Sequence, residues 1–131
     1  MQLVIVRHAE AASGEPDELR PLTAQGREDA RALGQRLADD GVRPDAVLTS
    51  PLLRARETAQ ELARAAGMEA EPDERLAPGA TAEGVRAAAQ EHGETVVVVA
   101  HQPDCSRIAA ALTGGDEPAF PPGAMLAIEL T

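Results

Sequence analysis

Lysine is absent from this 131-residue chain, so every basic side chain in it is an arginine. Schiff-base chemistry and the lysine of a phosphate-binding P-loop are therefore excluded. Tryptophan and tyrosine are also absent, and Phe120 is the single phenylalanine. Such a chain has no aromatic platform on which to stack single-stranded nucleic acid. Its core has to be assembled from Leu, Val, Ile and Ala. One cysteine, Cys105, supports neither a disulfide framework nor a cysteine-based zinc site. No apolar run approaches a membrane span, and the first residues read as a strand, so the expected location is the cytoplasm. Basic charge is scarce as well. With 22 acidic residues against 12 basic ones the net charge is −10, which argues against nucleic acid or an anionic membrane as partner.

The remainder is ordinary for a globular protein, at 44% hydrophobic and 26% charged residues. The length suits one domain spanning residues 1–131. Residues 2–6 (QLVIV) predict a strand, followed by a polar loop from Ala9 to Leu22. Thr23 is the expected N-cap of a helix to about Asp40, with Gly26, Ala30, Leu33 and Leu37 on one face. Gly41 suits its C′ position. Residues 45–49 predict a second strand. Ser50-Pro51 reads as a cap opening a helix to Ala66, and Gly67 stops it. Residues 69–82 read as irregular with room for one short strand, and residues 82–92 as a helix. Thr95 to Ala100 (TVVVVA) is apolar on both faces and predicts a central parallel strand. A helix over Pro103 to Leu112 and a strand over Met125 to Leu130 complete the chain. Strands alternating with helices imply a three-layer α/β/α architecture around a mostly parallel sheet.

In such sheets ligands bind beyond the carboxyl ends of the strands. The first strand delivers Arg7 and His8 there, the second delivers Ser50 and then Arg54, and the central strand delivers His101. Two guanidiniums and two imidazoles on one rim suit an anion, phosphate above all, because the arginine fork matches its oxygens. Arg54 sits near a helix start, where a cation opposes the dipole and a bound anion would explain it. Its alternative partner is Glu57, three residues on.

These residues fall within longer motifs. LVIVRHAE at the start, RPLTAQG (Arg20 to Gly26), SPLLRARETA (Ser50 to Ala59) and VVVVAHQP (Val96 to Pro103) come in that order. Together they resemble the histidine phosphatase superfamily, also called phosphoglycerate mutase-like. Short length, Ala at position 9, the RPLT spelling and His-x-Pro resemble its small, cap-less SixA-like group. The resemblance implies a phosphatase with His8 as the phosphorylated nucleophile and Arg7, Arg54 and His101 holding the phosphoryl oxygens. Arg20 would assist at the rim. A cationic His101 is expected to stabilise the transferring group. No cofactor and no metal is implied, since guanidiniums supply the positive charge.

The implied substrate is phosphohistidine on a histidine phosphotransfer protein. A small phosphorylated metabolite, cleaved by a phosphomonoesterase, is the alternative substrate, and a non-catalytic phosphate reader of the same fold is the alternative class. A mutase ranks lower, for want of a cap to retain a sugar phosphate. The family's larger members carry a general-acid glutamate after the second strand. In this chain that stretch offers Glu74 and Glu83 as candidates, and neither fits the family's motif. Cys105, early in a helix, is either a thiol of lowered pKa or a small packing residue. A further strand is expected beyond Thr131, or some other cover for the sheet edge.

Overall fold

The computed structural model describes residues Met1–Thr131 as five strands, β1 (Gln2–Arg7), β2 (Ala46–Thr49), β3 (Ala70–Pro72), β4 (Thr95–Ala100) and β5 (Met125–Glu129). Four helices join them, α1 (Ala24–Asp39), α2 (Leu53–Ala65), α3 (Ala82–Gln90) and α4 (Asp104–Thr113). The sheet runs β3-β2-β4-β1-β5, parallel throughout except for β5, which is antiparallel to β1 at one edge. β5 forms one edge of the sheet, beside β1, and β3 forms the other.

Strand alternation sends successive side chains to opposite faces. Leu3 and Ile5 of β1, Leu48 of β2 and Val96 and Val98 of β4 meet Val85 of α3 and Ile108 of α4. Val4, Val6, Val47, Val97 and Val99 meet Leu33 and Leu37 of α1 and Ala59 and Leu62 of α2 on the other side. Both faces of β4 are covered, as its unbroken valine run requires. No helix is long and apolar enough to cross a membrane.

Four local details differ from or add to these expectations. The N-cap of α2 is Leu52, without a side-chain cap, and the Ser50 hydroxyl instead accepts from Leu52 N–H at 3.2 Å and turns toward His101. The stretch 69–82 holds β3 and a 3-10 turn, Glu74–Leu76, whose Leu76 is buried in the core. The polar loop 9–22 contains a second 3-10 turn, Asp17–Leu19. Cys105 lies against β1 with its thiol donating toward Val6 O at 3.8 Å, and burial pushes its pKa up to about 12. It is a packing residue, and the lowered pKa is overturned by desolvation.

Candidate active site

The strand ends converge because β4 lies between β1 and β2, while the helix after β1 and the helix after β4 take opposite faces of the sheet. Their departure in opposite directions opens a crevice at that point. An open cleft of about 430 Å³ sits there, lined among others by Arg7, His8, Arg20, Arg54 and His101. All five residues singled out for phosphate contact therefore share one cleft. Its floor is buried, with exposures of 8% for His8, 6% for Arg54 and 4% for His101. Glu10, Asp17, Pro78 and Pro122 form the exposed rim.

The backbone on either side of His8 is fixed: its N–H donates to Ala100 O at 3.2 Å and its carbonyl accepts from Gly123 N–H at 3.1 Å. Its ring Nδ1 stands 2.8 Å from Ala9 O. A carbonyl only accepts, so Nδ1 carries the proton and the Nε2 lone pair is free for attack. Ala9 N–H donates to Thr58 Oγ1 at 3.0 Å, which ties the loop after β1 to α2. Ring centroids of His8 and His101 are 5.3 Å apart, and His101 Nε2 is 2.7 Å from Ser50 Oγ.

Arg7 donates through Nη1 to Phe120 O at 3.0 Å, so the sole phenylalanine's backbone orients the guanidinium. Arg54 does not pair with Glu57. It donates to Asp17 O at 2.9 Å and to Asp17 Oδ2 at 3.2 Å. Glu57 instead accepts from Leu22 N–H and Arg27, both at 2.8 Å, fastening the RPLT segment to α2. Arg20 donates from Nε to Asp17 Oδ1 at 2.9 Å, so Asp17 bridges two guanidiniums. Arg7 Nε, Arg54 Nε and His101 Nδ1 are buried without a protein partner. Buried polar atoms without a partner are rare in native structures, and three of them in one cleft suit a site that binds a polar ligand.

Burial, more than charge, sets the state of both imidazoles. His8 is lowered to about 4, first by desolvation and then by Arg54, Arg7 and Arg20, against the Ala9 hydrogen bond that raises it. The guanidiniums lower it too, by repelling a second positive charge, but are the smaller cause. His101 is also lowered to about 4, by desolvation and then by His8 and Arg54. The expected cationic His101 is therefore a neutral ring at pH 7 among its protein neighbours. A phosphoryl dianion beside it would favour its protonation.

Neither glutamate weighed as an acid lines the cleft. Glu74 is exposed in the turn before α3, and Glu83 is exposed in the first turn of α3. Glu10 and Asp17 are the carboxylates that do line it, and sequence reasoning passed over both. The available signals were the glutamate inside RHAE and an aspartate three residues before Arg20. Arg20 and Arg54 hold the Asp17 carboxyl below its usual range, so it stays ionised near neutrality.

The sequence profile of the histidine phosphatase superfamily (branch 1) matches residues 3–78. The chain belongs to this superfamily. It is 32% identical over 125 residues to the phosphohistidine phosphatase SixA of Escherichia coli strain K12, covering 90% of this chain and 78% of that one. Among solved structures, the protein histidine phosphatase SixA complexed with tungstate superposes with a TM-score of 0.89 at 30% identity, covering 99% of this chain and 88% of the other. YhfR of Bacillus stearothermophilus superposes with a TM-score of 0.78 at 26% identity, over 99% and 91% of the two chains. The chain is thus an enzyme of the histidine phosphatase type, SixA-like in sequence and fold.

Proposed function

We propose that this enzyme removes phosphate from phosphohistidine displayed on a protein, a histidine phosphotransfer domain in particular, through a covalent phosphohistidine on His8. The observation that carries the reading is the His8 ring. Its proton is held on Nδ1 by Ala9 O, which leaves Nε2 as a lone pair on a ring that lines the same cleft as Arg7 and Arg54. Attack by Nε2 on phosphorus forms a new P–N bond, and the bond to the leaving nitrogen breaks with its electron pair going to that nitrogen. Arg7, Arg54 and His101 hold the equatorial oxygens, where charge spreads in the transition state. Water then attacks from the vacated side, releasing inorganic phosphate and free His8. The open rim suits a side chain presented by another protein, and the similarity to a SixA solved with tungstate, a tetrahedral oxyanion, fits an oxyanion cradle.

Brief incubation with a radiolabelled phosphohistidine protein and an acid-free quench should leave label on His8, stable to alkali and labile to acid. His8→Ala should lose the adduct and reduce turnover by on the order of a thousandfold or more, as removal of a nucleophile does. Full turnover by His8→Ala would defeat the covalent mechanism.

A further inference from the structure

Glu10 is the cleft carboxylate with no basic partner. Both oxygens of Asp17 are taken, Oδ1 by Arg20 and Oδ2 by Arg54. Glu10 forms no ion pair, and its only side-chain contact is Oε1 accepting from the Thr23 hydroxyl at 2.7 Å. The same hydroxyl oxygen accepts from Gly26 N–H at 2.9 Å as the cap of α1. The Glu10 carbonyl accepts from Thr23 N–H at 3.0 Å, so backbone and side chain of Glu10 are both anchored to the start of α1. One residue of the RPLT motif thus aims the glutamate of the RHAE motif. Oε2 is left free at the exposed rim, two residues from the proposed nucleophile.

The chemistry of the leaving group gives that oxygen a role. An imidazole expelled from phosphorus leaves as neutral imidazole only if its distal nitrogen is already protonated. Otherwise it departs as imidazolate, a strongly basic anion. Near three guanidiniums, Arg7, Arg20 and Arg54, a protonated ring is disfavoured by like charge. Both oxygens of the ionised Asp17 are already committed to Arg20 and Arg54, so Glu10 is the cleft carboxylate with an oxygen free to compensate. We infer that Glu10, oriented by Thr23, accepts the distal N–H of the protonated imidazole ring of the substrate and so selects cationic nitrogen leaving groups over oxygen ones. The bond that breaks remains P–N, its electron pair goes to the proximal nitrogen, and the distal proton leaves with the ring.

This assignment rests on the phosphohistidine reading, and one comparison separates the two. Rates of the full-length enzyme and of Glu10→Gln are measured on phosphohistidine and on phenyl phosphate across pH. Glu10→Gln is expected to lose roughly tenfold or more in kcat/KM on phosphohistidine relative to phenyl phosphate, the scale of one charge-assisted hydrogen bond. Its alkaline limb on phosphohistidine should move to lower pH by on the order of one unit, because the ring loses its proton earlier without the carboxylate. Thr23→Val should show the same shift more weakly. An unchanged substrate ratio and an unmoved limb overturn the role of Glu10 alone. A larger loss on phenyl phosphate overturns it in another way, by making Glu10 a proton donor to oxygen. A wild-type enzyme that hydrolyses phenyl phosphate and leaves phosphohistidine untouched overturns the substrate reading, and this assignment with it.

Discussion

His8 and His101 stand with ring centroids 5.3 Å apart, and each is depressed to about 4 mainly by burial. A nucleophilic imidazole must be unprotonated, and desolvation secures that at any physiological pH without a dedicated base. Imidazole resonances followed by NMR should therefore show His8 and His101 titrating as a coupled pair near pH 4, well below the ordinary value of about 6.5. A histidine whose folded pKa is depressed binds fewer protons folded than unfolded below pH 6.5. Its contribution to stability is thus fully present above about 6.5 and is lost as the pH falls towards 4. Chemical denaturation midpoints should fall over that window, and less so in a His8→Gln, His101→Gln protein. Midpoints near 6.5 for both rings would mean that water reaches them freely and that the guanidiniums are too distant to matter.

At the scale of elements, most of the fold is legible because its signals are local. The valine runs of β1 and β4 can be satisfied only inside a sheet, and Thr23 is a cap by side-chain chemistry alone. Legibility fails where a residue answers to a distant partner. Ser50 resembles a cap, yet its hydroxyl serves His101 from 51 positions away in sequence. Arg54 has Glu57 at the right helical spacing, but takes Asp17 across 37 positions, because Glu57 is already held by Leu22 and Arg27. Glu74 and Glu83 look suited to the acid role by chain order and miss the cleft. Glu10 reaches it because α1 begins against the loop after β1. Gly26 makes that approach possible: a β-carbon there would land on the Glu10 carbonyl, a backbone atom that cannot swing aside. The sequence suggests only that Gly26 belongs to a buried face. Gly26→Ala should destabilise the protein by roughly 1–3 kcal/mol, as overpacking does elsewhere, despite the better helix propensity of alanine. It should also lower activity by displacing Glu10. A neutral or stabilising effect in urea melts would show that the first turn of α1 is free to move off the loop.

For the molecule as a whole, a net charge of −10 sets a problem for an enzyme whose substrates are anions. In the proposed mechanism the guanidiniums of Arg7, Arg20 and Arg54, which line a cleft whose floor is buried, act on a phosphoryl group at contact range, where screening is weak. At long range an approaching dianion meets the acidic surface instead, and that repulsion acts through solvent. The two fields respond differently to salt. Raising ionic strength shortens the Debye length from about 30 Å at 0.01 M to about 8 Å at 0.15 M. The surface repulsion is then screened out, whereas the contacts inside the cleft are largely kept. Electrostatically steered enzymes lose kcat/KM as salt is added. This one should gain a few-fold on a small anionic phosphoramidate between those two concentrations, provided the salt is sodium chloride and not an oxyanion that competes for the cleft. The gain should lie in kcat/KM, with kcat nearly constant, since only encounter is altered. A steep fall would show that the three arginines dominate the field well beyond the rim. In that case the acidic surface would be oriented away from the path of the substrate.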